Sequence, residues 1–249
     1  MIKVESLHKY FNDGAVHALK NVNVTINDGE FVAIIGSSGA GKSTFLRSIN
    51  RLIEPEKGSR IFIDGTEVTS LNLNQIVKVR RKIGFIFQQF NLVDKLNVLQ
   101  NVLTGRVGFN PVYKTMLGQF SRNDLEIAVR FIREVGLIDK LYTRSDNLSG
   151  GQQQRVAIAR AMAQEPSIIL ADEPMASLDP KLSQVILGLL KKFNQEQGIT
   201  VLVNLHVLEL ALQYADRILG FKHGELVFDG APNDLNKANI ENIYSAKVE

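Results

Sequence analysis

The sequence predicts an α/β fold with a parallel sheet at its centre, and three stretches carry that expectation. Phe31-Val32-Ala33-Ile34-Ile35, Ser167-Ile168-Ile169-Leu170-Ala171 and Thr200-Val201-Leu202-Val203-Asn204-Leu205 are short and almost entirely apolar. Such runs mark strands buried on both faces, which is the condition of strands in a parallel sheet. Each is followed by glycine or polar chemistry and separated from the next by helical sequence, so a site is expected at the carboxyl ends of the strands.

Taken in order, Ile2-Lys3-Val4-Glu5-Ser6-Leu7 and Val22-Asn23-Val24-Thr25-Ile26 alternate apolar with polar residues and read as half-buried antiparallel strands. The first buried run ends at Gly36, and Phe45 to Leu52 reads as a helix. Ile83-Gly84-Phe85-Ile86 is a further strand. A long middle region from about Asn91 to Ala163 follows, with helical periodicity in Leu125 to Gly136, where a Ser/Asn/Asp start and a Gly stop bracket the helix. Val107 to Lys114 is apolar and aromatic but punctuated by Gly and Pro, and it reads either as a docking surface or as a buried loop. Arg217 to Asp229 is a hairpin turning at Lys222-His223-Gly224. No repeat or low-complexity tract interrupts the chain, so residues 1–249 are expected to form a single domain.

Composition limits the function classes. With 249 residues, 45% hydrophobic and 22% charged, the chain can bury a substantial core, and disorder is not expected. No apolar run approaches the roughly 20 residues that span a bilayer, and the start lacks a secretory apolar segment, so a soluble, unexported protein is expected. The absence of cysteine excludes disulfides, thiolate metal sites and cysteine catalysis. The 29 basic and 26 acidic residues give a net charge of +3 and are interspersed along the chain, which argues against a nucleic-acid partner despite the isoelectric point of 9.0.

Gly36-Ser37-Ser38-Gly39-Ala40-Gly41-Lys42-Ser43-Thr44 fits the phosphate-loop pattern, with a buried strand before it and helical sequence after it. In such a loop, backbone N–H groups and a helix N-terminus face phosphate oxygens. Lys42 would reach the β- and γ-phosphates of ATP, and Ser43 would offer its hydroxyl to Mg²⁺. Ile168-Ile169-Leu170-Ala171-Asp172-Glu173 places two acids at the end of a buried strand, where charge is costly without a counter-ion. Mg²⁺ would be that counter-ion for Asp172, leaving Glu173 to orient and activate water.

Leu148-Ser149-Gly150-Gly151-Gln152 precedes a helix read from Gln153 to Ala163, a second set of backbone donors at a helix start. Two phosphate-binding helix ends and one hydrolytic carboxylate make sense if two copies face each other. This pentapeptide is the signature of the ABC ATPases, which the chain resembles from about Ile2 to Gly230. The resemblance implies a P-loop NTPase core with an antiparallel β subdomain, together about residues 1–90 and 164–249, and a helical signature subdomain at about 91–163. It further implies that Gln88 contacts Mg²⁺ and the attacking water, that Ser177-Leu178-Asp179 crosses the dimer interface, and that His206 fixes Glu173 and the γ-phosphate. Phe11 resembles the aromatic residue that stacks on adenine, with Tyr10 the alternative because strand register decides which ring faces the base. The other histidines, His8, His17 and His223, acquire no role.

A single cassette resembles the ATPases of bacterial importers, which imply separate transmembrane permease subunits, a solute-binding protein, a homodimer formed on ATP binding and a peripheral place on the cytoplasmic face of the cell membrane. Glu173-Pro174-Met175-Ala176-Ser177, Asn204-Leu205-His206 and Asn101-Val102-Leu103-Thr104-Gly105-Arg106 depart from the commoner importer spellings and together resemble the phosphonate importer ATP-binding subunits. Methionine or polar amino-acid importers and lipoprotein exporters are the alternative readings. Val207 stands where the family often has an acid, while the imidazole before it is retained.

Overall fold

The structure, a computed structural model, describes residues 1–176 and 178–245; Ser177 of the Ser177-Leu178-Asp179 reading lies outside them. In chain order the elements are β1 (Ile2–Phe11), β2 (Val16–Ile26), β3 (Phe31–Ile35), α1 (Lys42–Ile49), β4 (Arg60–Ile63), β5 (Thr66–Glu67), α2 (Leu73–Arg80), β6 (Ile83–Ile86), α3 (Val98–Leu103), α4 (Val112–Met116), α5 (Arg122–Glu134), α6 (Gly150–Met162), β7 (Ile168–Ala171), α7 (Pro180–Gln197), β8 (Thr200–Asn204), α8 (Leu208–Tyr214), β9 (Arg217–Lys222), β10 (Glu225–Gly230) and α9 (Lys237–Tyr244). They divide into one unit of Met1–Val79 with Lys191–Glu249 and another of Arg80–Leu190.

In the first unit β3 runs parallel to both β8 and β9, and β10 adds antiparallel to β9. Phe31 to Ile35 are fully buried, as an unbroken apolar run requires. A separate antiparallel sheet has the order β2-β1-β4-β5. Its first two strands are longer than the alternation of apolar residues suggests. Ser6 and Asn21 adopt left-handed backbone, with φ of 47° and 50°, and the pairing register shifts between Val4 and Leu7. Each irregularity inserts one residue, so Ile2, Val4 and Leu7 share a buried face, as do Leu19, Val22, Val24 and Ile26. The strand β4, which the sequence reading passed over, pairs with β1 and buries Ile61 and Ile63.

The helix expected over Phe45 to Leu52 begins three residues earlier, at Lys42, and ends at Ile49. It stops because Arg51 turns left-handed, with φ of 48°, while its guanidinium donates to the carbonyls of Val68 and Leu71. In the second unit β6 and β7 form a parallel pair. There α3, α5 and α6 pack on one another. Ser121 caps α5 in a reciprocal box with Asp124, and the helix buries Ile127, Ala128, Phe131 and Ile132. Full burial of a side chain such as Phe131 contributes about 1.5–3 kcal/mol. Gly136, at φ of 70°, follows the helix. No helix among the described residues is long and apolar enough to cross a membrane.

Candidate functional site

The phosphate-loop residues all lie in the first unit. The strand β3 delivers the chain to Gly36, where a Cβ would sit 2.2 Å from the Phe221 carbonyl oxygen, so no side chain fits. Gly41 caps α1 with φ of 103°, and a Cβ there would lie 2.6 Å from the Ala18 carbonyl oxygen. Between them the Ala40 amide donates to the Ser37 carbonyl at 3.2 Å, and the Ala40 carbonyl accepts from the Gly224 amide at 3.0 Å. The hairpin between β9 and β10 thus steadies the loop. Ser38 and Gly39 form its exposed rim, with Ser37, Ser43 and Thr44 half-buried. Lys42 is 4% exposed, and its Nζ donates to the carbonyls of Gly36 at 2.7 Å and Ser37 at 3.0 Å. A cation is therefore held against the loop's carbonyls at the N-terminus of α1, an arrangement suited to a polyphosphate.

Beside this loop, the Tyr10 ring stacks on His17 at 4.0 Å and 17°, and His8 Nδ1 lies 3.2 Å from His17 Nε2. Burial together with the neighbouring His8 and Lys20 holds the His17 imidazole below its ordinary value. These two histidines, for which sequence gave no role, thereby form a small stack with Tyr10. Phe11 pairs with Val16 and is 36% exposed, with the Lys9 ammonium 5.5 Å from the ring centre. His206 lies two residues beyond β8, exposed, after the buried Asn204 and Leu205; the Leu205 amide donates to the Ile34 carbonyl at 2.9 Å.

The remaining site residues lie in the second unit. Asp172 follows β7 directly and is 0% exposed, its amide donating to the Ile86 carbonyl at 2.8 Å. Glu173 adopts left-handed backbone with φ of 49°. For a side-chain-bearing residue that conformation costs about 1–3 kcal/mol. Gln88 is exposed just beyond β6, next to Phe87, whose ring packs on Phe85 at 4.5 Å.

The signature helix begins at Gly150, three residues before the predicted start. Ser149 caps it, its hydroxyl accepting from the Gln152 amide while the Gln152 side chain accepts from the Ser149 amide at 2.9 Å. Gly150 and Gly151 therefore already belong to the first turn, where amides lack intrahelical partners. Gly151 is compact because Leu182 Cδ1 lies 2.8 Å from where its Cβ would be. Asp179 Oδ1 accepts from the amides of Lys181 and Leu182, both at 3.0 Å, and so caps α7.

Val107 to Leu117 carries a group of exposed apolar side chains, with Val112 at 72%, Tyr113 at 65%, Met116 at 82% and Leu117 at 71%. Of the two sequence readings of Val107 to Lys114, the exposed one describes Val107, Phe109, Val112 and Tyr113. A buried network that the sequence reading missed anchors this segment. Arg106 Nε donates to Asp124 at 2.8 Å, Arg106 Nη1 donates to the Ala163 carbonyl at 3.0 Å, and the Arg106 guanidinium lies 4.1 Å from the Phe109 ring centre. Burial opposes ionisation of Asp124, but hydrogen bonds from Ser121, Arg106 and Asn110 outweigh it and lower the carboxyl to about 2. The structural roles of Asn101 and Arg160 were also missed, since single polar residues in helical sequence give no local signal of the loops they hold.

A family model described as ABC transporter matches residues 19–176. The phosphonates import ATP-binding protein PhnC of Lactobacillus johnsonii is 49% identical over 245 residues, covering 98% of this chain and 96% of that protein. The protein of the same description from Staphylococcus haemolyticus is 49% identical over 248 residues, covering 100% of this chain and 96% of its own length. Among solved structures, the dimeric ATP-binding cassette MJ0796 bound to ADP and Pi is 39% identical with a TM-score of 0.82, over 93% of this chain and 99% of that one. The cbiO1 protein of Clostridium perfringens, part of the cbiONQ transporter complex, is 30% identical with a TM-score of 0.83, over 97% and 92% of the two chains.

Proposed function

Because this chain belongs to the ABC transporter family of ATP-binding proteins, we propose that it is the ATP-hydrolysing subunit of a bacterial importer and that the imported solute is a phosphonate. The observation that carries the substrate is near-full-length identity to several proteins described as phosphonate import ATPases. The observation that carries the chemistry is the phosphate loop, whose buried lysine and side-chain-excluding glycines suit a polyphosphate chain.

Lys42 exchanges its carbonyl partners for the β- and γ-phosphates of ATP, and the amides from Ser37 to Thr44 other than that of Ala40, which the Ser37 carbonyl takes, face the same oxygens. Phe11 stacks on adenine, since a face of the Tyr10 ring is already taken by His17. Ser43, Gln88 and Asp172 offer oxygen donors alone, the set that a hard divalent cation takes, and Asp172 brings a fully buried carboxylate. These residues would hold Mg²⁺, which would supply neutralisation of phosphate charge. Glu173 accepts the proton of the attacking water, with Gln88 and His206 holding that water and the γ-phosphate in line.

Ser149, Gly150, Gly151 and Gln152 complete the ATP site of a second copy, and Asp179 lies along the same dimer contact; the dimeric state of MJ0796 supports this reading. ATP binding closes the homodimer and hydrolysis opens it. The dimer sits at the cytoplasmic face of the membrane under permease subunits that receive solute from a solute-binding protein. The exposed apolar face of α4 meets the permease. Residues of about 91–163 act as the signature-bearing arm, and about 1–90 with 164–249 as the nucleotide-binding core.

The test is ATP turnover in proteoliposomes containing this chain, its genomic neighbour permease and the matching solute-binding protein. Methylphosphonate is expected to stimulate turnover while methionine and glutamine do not. Stimulation by an amino acid in place of the phosphonate would reject the substrate.

A further inference from the structure

The loop that follows Gln88 and the segment that leads into Ser149 are joined by a buried polar network. Asn101, on α3, is fully buried. Its Oδ1 accepts from the Val93 amide at 2.8 Å, and its Nδ2 faces the carbonyls of Val93, Leu96 and Asn97 at 3.1–3.2 Å and Ser145 Oγ at 2.7 Å. Two N–H bonds are shared among four acceptors, and the shortest contact is the one to Ser145. Ser145 is 1% exposed, and its amide donates to the Leu96 carbonyl at 3.0 Å. The Ser145 carbonyl accepts from Gln153 Nε2 at 2.9 Å and from the Leu148 amide at 3.2 Å. Gln153 Nε2 also reaches the Leu148 carbonyl at 3.3 Å. Residues 93–97 are thus one side chain away from the first residue of the signature.

A second tie lies further along α6, the helix that carries Gln153. Arg160, on α6, donates to the Phe90 carbonyl at 3.0 Å and to the Asn91 carbonyl at 2.5 Å. The Phe90 ring returns to the helix start, its Cζ 3.6 Å from where a Cβ on Gly150 would stand. The loop two residues beyond Gln88 is therefore tied to the third turn of the helix that carries the signature, and its Phe90 ring lies near the start of that helix.

We propose that Asn101 and Ser145 are positioning residues that make the Gln88 loop and the signature segment of one chain move as a single piece. The inference rests on the ATPase reading above and deepens it, since a displacement of the loop by the membrane partner would then reach Ser149 through Ser145. Hydrogen bonds between buried polar groups of this kind specify one arrangement when fully satisfied.

The test compares the full chain with Ser145→Ala and, independently, Gln153→Ala, by amide hydrogen exchange and by steady-state ATP turnover. Ser145→Ala removes one hydroxyl and leaves Asn101 its three carbonyl partners. The expected result is at least about fivefold faster exchange in residues 93–97 and 148–153 together, with residues 42–49 unchanged. A kcat about fivefold lower should accompany it, with ATP affinity within a factor of about two, a fivefold effect being the lower end of ordinary coupling between sites. Faster exchange confined to one of the two segments in both variants overturns the link. So does a fall in ATP affinity that matches the fall in kcat, which is the mark of general destabilisation. If the unaltered chain fails to turn over ATP, the ATPase reading fails, and the exchange result still decides the link.

Discussion

Replacing Asp124 with Asn isolates a buried ion pair of the Arg80–Leu190 unit. The change keeps the shape of the side chain and removes the charge that faces Arg106, whose side chain is 7% exposed against 5% for Asp124. Breaking one partner of a buried ion pair costs about 3–5 kcal/mol, because the remaining charge stays desolvated. Arg106 retains the Ala163 carbonyl and the Glu165 carboxylate, the latter at 3.3 Å, so the lower end applies, about 3 kcal/mol. In a chain of this size that corresponds to a fall in melting midpoint of about 6–12 °C.

The pH dependence follows from the same pair. The folded-state value of Asp124 is depressed to about 2 from 3.8, so its stabilisation is complete above the unfolded value and disappears as pH falls towards 2. Urea midpoints of the wild type and Asp124→Asn should therefore differ fully at pH 7 and converge between about pH 5 and pH 2. A loss below about 1 kcal/mol at pH 7, the range of exposed pairs, would refute the reasoning, as would a gap that stays constant down to pH 2.

Two further outcomes probe the phosphate loop and the base. Gly41→Ala forces a Cβ to 2.6 Å from the Ala18 carbonyl oxygen at a φ of 103°, so ATP affinity measured by calorimetry should drop at least about tenfold, the equivalent of 1.4 kcal/mol, while ellipticity barely changes; wild-type affinity would contradict the steric account. Phe11→Ala should weaken ATP binding by about 1–3 kcal/mol, the worth of one aromatic–base stack, and Tyr10→Ala by much less, as fluorescent-nucleotide titration can show; the reverse order would move the adenine contact to Tyr10.

The parts legible in sequence are those whose cause is local. Phe31 to Ile35 announces a buried strand because every residue is apolar, and Gly36 to Thr44 announces a phosphate loop because its glycines and lysine stand at fixed spacing. The resemblance carried by Leu148 to Gln152 agrees with the family match and the full-length relatives. Where local pattern and tertiary cause part company, the reading fell short. The bulges at Ser6 and Asn21 break the period of two and hide the length of β1 and β2. Gly41 caps α1 without a side-chain acceptor, so nothing marks Lys42 as its first residue. At α7 the signal was present and unused, since Asp179-Pro180 is a capping residue followed by proline in the first helical position. Arg106, Asn101 and Arg160 act on residues distant in sequence, and only the fold brings their partners to them.

The most direct test of the central claim is Mg²⁺-dependent phosphate release by the purified chain and by Glu173→Gln, with the solution mass of each measured with and without ATP. The account predicts hydrolysis by the wild type, a loss of about 10²–10⁴-fold in the variant, and a variant that is a dimer with ATP and a monomer without it. Undiminished hydrolysis by Glu173→Gln would contradict it.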